Sequence, residues 1–319
     1  MTDPHGVDAN PPRFPSNGPL DGDEVAYFSQ IPTFLRLPVD YTCETADVAI
    51  LGIPFDGGVT ERAGARDGPR GIRVASTTSR PSHGRLGSPY ERLRIVDAGD
   101  VRCNPLKPDD ARLAIASHYA RLRETGTRVV AVGGDHSVTL HTLQSLGAPG
   151  PVALIHFDAH ADSSDIDFGS RVNHATVFRR ALESGLYDAS KTARIGLRPD
   201  LHDDEELAWL RSSGSLILTI DDIRDIGLRA AMSQVVEHVG DHSIYLTVDI
   251  DVLDPSYAPG TGSPEPGGLS SADLRSMLWS LDGLSIIGAD LVEVAPCYDL
   301  GSLTVDLAAR LLFDLVCLM

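Results

Sequence analysis

Cysteine is scarce in this chain: four among 319 residues (Cys43, Cys103, Cys297, Cys317), far apart and with no CxxC pair. That argues against a disulfide framework or a thiolate zinc site, and it fits reduced structural thiols in a cytoplasm. No apolar stretch approaches the ~20 residues of a membrane-spanning helix, so no span is expected. No charged-then-apolar leader opens the sequence. Residues 1–22 are instead polar and proline-rich (Pro4, Pro11, Pro12, Pro15, Pro19), and are expected to form an arm, flexible or packed on a neighbour. Positive charge is in deficit, 27 Lys and Arg against 45 Asp and Glu, for a net charge of -18. Nucleic acid and anionic membrane surfaces are therefore disfavoured as partners, whereas a cationic small molecule would be attracted. No internal repeat is visible, which argues against a solenoid.

What is present is a hydrophobic content of 42%, enough for a full-sized core. Apolar runs at 47–51, 94–97, 128–132, 152–155, 192–195, 216–219, 244–248 and 286–292 read as strands. Amphipathic stretches at 108–125, 203–213, 228–239 and 270–281 read as helices, with Ser271 and Asp273 as helix-start residues of the last. Strands spaced by helices predict an α/β fold: one three-layer α/β/α domain over 23–319, with a mainly parallel eight-stranded sheet. Long glycine-rich loops follow the strands, including Gly57-Gly58, 64–71, 163–174 and 254–268. In open α/β sheets ligands bind outside the carboxyl ends of the strands.

Two acidic clusters stand at such ends. Asp158-Ala159-His160-Ala161-Asp162 and Asp249-Ile250-Asp251 carry metal-binding side chains at alternate positions, which puts them on one side of an extended backbone. His136 follows the 128–132 run through Gly133-Gly134-Asp135, where the glycines allow close backbone approach. Buried uncompensated, this much negative charge would be prohibitive, so cations are expected there. Four carboxylates and two imidazoles make a hard donor set suited to six-coordinate Mn²⁺. Two divalent ions would balance the four carboxylates, with Asp158 and Asp249 as the natural bridging ligands. A pair about 3.5–4 Å apart activates water at neutral pH. Other residues get plainer readings. His156 lies inside its strand and is structural, Asp135 orients its neighbours, and Asp254-Pro255 shapes a turn. His83, His118, His141, His202, His238 and His242 read as surface or helix residues. The acidic run 200–206 reads as a solvated helix start, with one acid receiving a substrate ammonium as the alternative.

Gly133-Gly134-Asp135-His136-Ser137, the Asp158–Asp162 cluster and Asp249-Ile250-Asp251-Val252-Leu253-Asp254-Pro255 resemble the three signature segments of the ureohydrolase superfamily, the arginases, agmatinases and related guanidino-acid hydrolases. The order of elements from about residue 25 onward resembles that family throughout. The resemblance implies a two-manganese site in which His136 and Asp162 complete one ion, His160 and Asp251 the other, and Asp158 and Asp249 bridge. It implies that His174, in Asn173-His174-Ala175-Thr176, shuttles protons and that Glu293 orients the guanidinium, while Asp162 also holds the nucleophile's proton. The segments 29–34, 64–69 and 260–268 look agmatinase-like. Ala175 and Pro199 stand where members tend to have glycine, and both bear on which substrate tail is recognised. The expected activity is hydrolysis of a small cationic guanidino compound to urea and a primary amine, agmatine first. Alternatives are 4-guanidinobutanoate, 3-guanidinopropanoate, a guanidino intermediate of secondary metabolism, or a non-catalytic member. A carboxylate tail would need Arg66, Arg171 or Arg198; an ammonium tail would need an acid such as Asp200 or Asp203. The resemblance also implies a homotrimer or homohexamer.

Overall fold

Each of the eight apolar runs forms a strand in the computed structural model, which describes residues 18–20, 26–198, 200 and 204–319. In chain order the elements are β1 Val48–Gly52, α1 Gly68–Ser76, β2 Ile95–Asp100, α2 Pro108–Glu124, β3 Arg128–Val132, α3 Val138–Gln144, β4 Val152–Phe157 and α4 Val177–Glu183. They continue with β5 Tyr187–Leu197, α5 Asp204–Ser212, β6 Leu216–Thr219, α6 Ile220–Ile226, α7 Leu228–Val239, β7 Ile244–Asp249, α8 Ser271–Trp279, β8 Ile286–Val292 and α9 Leu303–Cys317. The strands make one sheet in the order β2-β1-β3-β8-β7-β4-β5-β6. Every pairing is parallel, so the sheet is wholly rather than mainly so.

Strand alternation divides the core into two layers. Val48 and Ile50, Val130 and Val132, and Ile155 and Phe157 face one way, against Ile72 of α1 and the apolar stripes of α7, α8 and α9. Ala49 and Leu51, Val129 and Ala131, and Val152 and Leu154 face the other way, against α2, α3 and α4. Because both faces are covered, the strands are apolar almost without a break. Full burial of each Leu, Ile or Val contributes about 1.5–3 kcal/mol.

Helix α8 falls within the expected 270–281 stretch, with its cap one residue before Ser271. Ser270 is its cap, accepting from Asp273 N at 3.1 Å while Asp273 Oδ2 accepts back from Ser270, a reciprocal capping box. His83 also departs from expectation. It is buried in a loop, 3.2 Å from Asp314 and edge-on to Trp279, because α8 and α9 fold over it. His118, His141 and His238 lie in α2, α3 and α7, and His242 is exposed.

Gly18 and Leu20, from the expected arm, pack on the domain: Leu20 N donates to Arg36 O at 3.2 Å. Residues 1–17, 21 and 22 of the arm, the expected boundary after it, Pro199, His202 and Asp203 lie outside the described residues. No helix of the described residues is long and apolar enough to cross a membrane.

Candidate metal centre

The carboxyl ends of four adjacent central strands, β3, β8, β7 and β4, meet at one crevice. Beyond β3 the chain runs through Gly133 and Gly134. A side chain at Gly134 would collide with the Phe55 carbonyl, so only glycine lets this loop lie against the one after β1. Asp135 then fixes both loops: its carboxylate accepts from Gly58 N at 2.7 Å, from Ser137 N at 2.9 Å and from the Ser137 hydroxyl. Burial, reinforced by the nearby Glu293 charge, pushes the Asp135 carboxyl up to about 6.

His136 follows, fully buried. Its Nε2 lies 2.9 Å from Thr247 Oγ1, which turns Nδ1 toward three carboxylates: Asp162 Oδ2 at 2.9 Å, Asp158 Oδ2 at 3.1 Å and Asp249 Oδ2 at 3.3 Å. Nδ1 nevertheless makes no hydrogen bond among the described residues. His160 Nδ1 faces Asp251 Oδ2 at 3.0 Å and Asp158 Oδ1 at 3.5 Å. Asp158 therefore reaches both imidazoles, one oxygen to each. Asp249 Oδ2 faces the His136 side, while its Oδ1 accepts from Asp251 N at 2.9 Å. Asp158, His160 and Asp251 converge within 4.8 Å of one another, as do His136, His156 and Asp158.

The protonation pattern reports crowded charge. Burial disfavours imidazolium at His136 and His160. The facing carboxylates outweigh it, and both rings are raised well above the ordinary histidine value. Burial, with Asp251 and Asp158 beside it, lifts Asp249 well above the carboxylate range. For Asp158 burial is overcome by His156, His136 and His160, and its pKa falls well below that range. An orphaned imidazole nitrogen ringed by carboxylates, and paired carboxylates displaced in opposite directions, fit divalent cations better than protons.

Two further groups close the crevice. His174 opens a single helical turn held at its start by Asn173 N, which donates to Thr176 Oγ1 at 3.0 Å. Its Nε2 lies 2.7 Å from Thr60 Oγ1 and its Nδ1 3.0 Å from Glu293 Oε1. Burial lowers the His174 pKa, but Glu293 more than reverses this and raises it to about 9. Glu293 Oε1 also accepts from His136 N at 2.9 Å. Among the described residues nothing donates to Oε2. Both Glu293 and Asp162 hold left-handed backbone, φ 62° and 48°. Each is pinned there: Glu293 N donates to Gly134 O, and Asp162 O accepts from Phe178 N, both at 2.9 Å.

All eight candidate residues from the sequence thus come together, and His160, Asp162, His174, Asp249, Asp251 and Glu293 line one cleft of about 120 Å³. That is small beside the ~300–1,000 Å³ of drug-sized sites, and suits the head group of a small substrate. The sequence reading missed Thr60 and Glu61, which line the same cleft from the loop after Gly57-Gly58, and Phe178, whose ring packs on His136 and His156. The glycine-rich character of that loop was the available signal.

The three arginines considered for a carboxylate tail are engaged elsewhere. Arg66 pairs with buried Asp56, and Arg171 with Glu183 at 3.1 Å. Arg198 donates to Gly196 O, Val252 O and Glu265 O. Asp200, a candidate ammonium receiver, is exposed and outside the cleft.

Comparison with known proteins matches residues 46–317 to the arginase family. The chain is 40% identical to a guanidinopropionase of Pseudomonas aeruginosa, over 94% of this chain and 95% of that protein. It is 37% identical to a mitochondrial agmatinase of Gallus gallus, over 95% and 90%. The solved proclavaminate amidinohydrolase of Streptomyces clavuligerus superposes with a TM-score of 0.86 at 35% identity, covering 92% of this chain and 98% of that one. With its wholly parallel eight-stranded sheet and its convergent carboxylates, the chain belongs to the arginase family, the hydrolases of C–N bonds in guanidino compounds.

Proposed function

We propose that this protein hydrolyses agmatine to putrescine and urea at a two-manganese centre held by His136, Asp158, His160, Asp162, Asp249 and Asp251. The observation that carries the substrate assignment is the charge of the cleft. Among the described residues no arginine or lysine lines it, and Glu61 stands at its exposed rim. An ammonium tail would be attracted there and a carboxylate tail repelled.

Mn²⁺ suits the oxygen and imidazole donors, and a bound pair supplies charge compensation and an activated water at neutral pH. The chain's own residues supply the rest. Glu293 Oε1 is committed to His136 N and His174, which leaves Oε2 to take a guanidinium N–H in a charge-assisted hydrogen bond and to orient the carbon for attack. Glu293 raises the His174 pKa, so His174 keeps a proton on Nδ1 against Glu293 Oε1, while its Nε2 accepts from Thr60 N at 3.2 Å beside the Thr60 hydroxyl; it is placed to pass a proton to the departing amine. Asp162 stands at the cleft wall, where it can hold the proton of the incoming water.

A second reading, hydrolysis of a guanidino acid, is favoured by the identity to a guanidinopropionase. Urea release from Mn²⁺-loaded protein with agmatine, 4-guanidinobutanoate, 3-guanidinopropanoate and arginine separates the two. Agmatine is expected to have the highest kcat/KM; equal or faster turnover of a guanidino acid would remove it from first place. The family resemblance and the four free cysteines support a homotrimer or homohexamer in a cytoplasm.

A further inference from the structure

Register places four polar side chains in one row across the sheet: Asp290 on β8, Thr247 on β7, His156 on β4 and Arg194 on β5. All four are fully buried on the face covered by α2, α3 and α4. Asp290 and Thr247 support their neighbours in an ordinary way, with Thr139 and Tyr245 donating to Asp290 at 2.7 Å. Arg194 is different. Among the described residues no carboxylate pairs with its guanidinium. It donates instead to Ala161 O at 2.8 Å, to the Tyr187 hydroxyl at 3.2 Å and to His156 Nδ1 at 3.1 Å.

A guanidinium nitrogen can only donate. His156 Nδ1 must therefore accept, and the ring's proton sits on Nε2, which lies 2.7 Å from Asp158 Oδ2. The hydrogen bonds run one way, from Arg194 through His156 to Asp158. Among the described residues Asp158 is the one carboxylate that reaches both His136 and His160, so its torsion sets the relation between the two halves of the centre. Phe178 clamps the arrangement, its ring centroid 4.2 Å from that of His156 and 5.2 Å from the Arg194 guanidinium carbon. The Arg194–Ala161 bond ties down the loop between His160 and Asp162 at the same time.

Resting on the two-metal reading above, we propose that Arg194 and His156 are positioning residues for the metal centre. Arg194 fixes the His156 tautomer, and His156 Nε2–H fixes Asp158 with Oδ2 toward His136 and Oδ1 toward His160, the two sides on which Asp158 would help hold metal. Hydrogen bonds to a ligand from outside the coordination sphere typically account for 10–100-fold in metal affinity.

The test is Mn²⁺ titration of the full chain, with free ion followed by its paramagnetic resonance signal and the fold of the metal-free protein checked by circular dichroism. His156→Phe keeps the ring packing and removes the donor; it should weaken Mn²⁺ binding about 10–100-fold. His156→Gln, whose amide can donate from nearly the same place, should recover most of the loss. Arg194→Met should weaken binding too, and adding it to His156→Phe should cost less than the two single losses combined, because part of what Arg194 does passes through the imidazole and only the hold on Ala161 O is separate. Unchanged affinity in His156→Phe, or additive losses in the double variant, would overturn the proposal. So would loss of one whole equivalent of Mn²⁺ in both His156 variants, since that would make His156 a ligand. If the variants do not fold, nitrogen-15 imidazole spectra of the metal-free wild type decide the matter: a proton on Nε2 is expected, and one on Nδ1 refutes. Wild-type protein that binds no Mn²⁺ would sink the metal centre itself, a result distinct from wild type and His156→Phe binding alike.

Discussion

Replacing Glu61 by glutamine removes one negative charge from the rim of the cleft while keeping shape and hydrogen-bonding capacity. The side chain is exposed, so its interaction with a substrate tail is screened nearly as in water. There, unit charges about 4 Å apart interact by about 1 kcal/mol, roughly a fivefold change in a rate or binding constant. Agmatine should lose about fivefold in kcat/KM, chiefly through KM, because the tail lies away from the reacting carbon. 4-Guanidinobutanoate should gain a similar factor, so the preference for agmatine over the acid should fall about 25-fold (5 × 5). Raising the salt from about 0.15 M to 1 M shortens the screening length from about 8 to 3 Å and should erase most of the wild-type preference, with little effect on the variant. The assay is steady-state urea release for both substrates at the two salt concentrations. A preference that moves less than about twofold, or a variant that improves on agmatine, would refute the argument from rim charge.

Four other changes have expected outcomes. Asp249→Ala should purify without its full metal complement by elemental analysis and without activity, since Asp249 faces the His136 nitrogen and also anchors Asp251. His174→Ala should keep its metal and lose about 10²–10⁴-fold in kcat, as for loss of a general acid; metal loss instead would make His174 a ligand. Because Glu293 raises the His174 pKa to about 9, the catalytic acid persists below that pH, and kcat should fall as pH rises through about 9; a decline centred near 6.5 would refute this assignment. Gly134→Ala should lower Tm sharply or prevent folding, because the new methyl meets the Phe55 backbone; a wild-type melting curve would show that the loop after β1 can retreat.

The strands were legible because parallel strands buried on both faces read as unbroken apolar runs. The helices were legible only where one face is polar. Leu303–Cys317 escaped notice because its second half, from Leu311 on, is buried all round and apolar but for Asp314, and Gly68–Ser76 begins at Gly68-Pro69, a pair that reads as a turn. Strand β5 extends upstream to Tyr187 through Asp188, Ser190 and Lys191, polar residues that broke the pattern. The candidate ligands were legible because each cluster is contiguous and ends a strand. His174 against Thr60 was not: the pair is 114 residues apart and meets only when two loops fold over one crevice. The pairing of His156 with Arg194 depends on the register of β4 on β5, which no local pattern encodes. His83 misled because its burial is supplied by α8 and α9, far along the chain.

Asp162 and Glu293 share an uncommon property: both lie in the left-handed backbone region that side-chain-bearing residues avoid, at a cost of about 1–3 kcal/mol each. Glycine at either place would release that tension and remove the carboxylate in the same stroke. Selection for heat resistance alone would therefore erode these two positions early, and only demand for turnover keeps them acidic. Compared metal-free, Asp162→Gly is expected to melt higher than its parent, and once loaded to turn over almost nothing; a lower metal-free melting point would show that the surroundings, not the residue, favour this conformation.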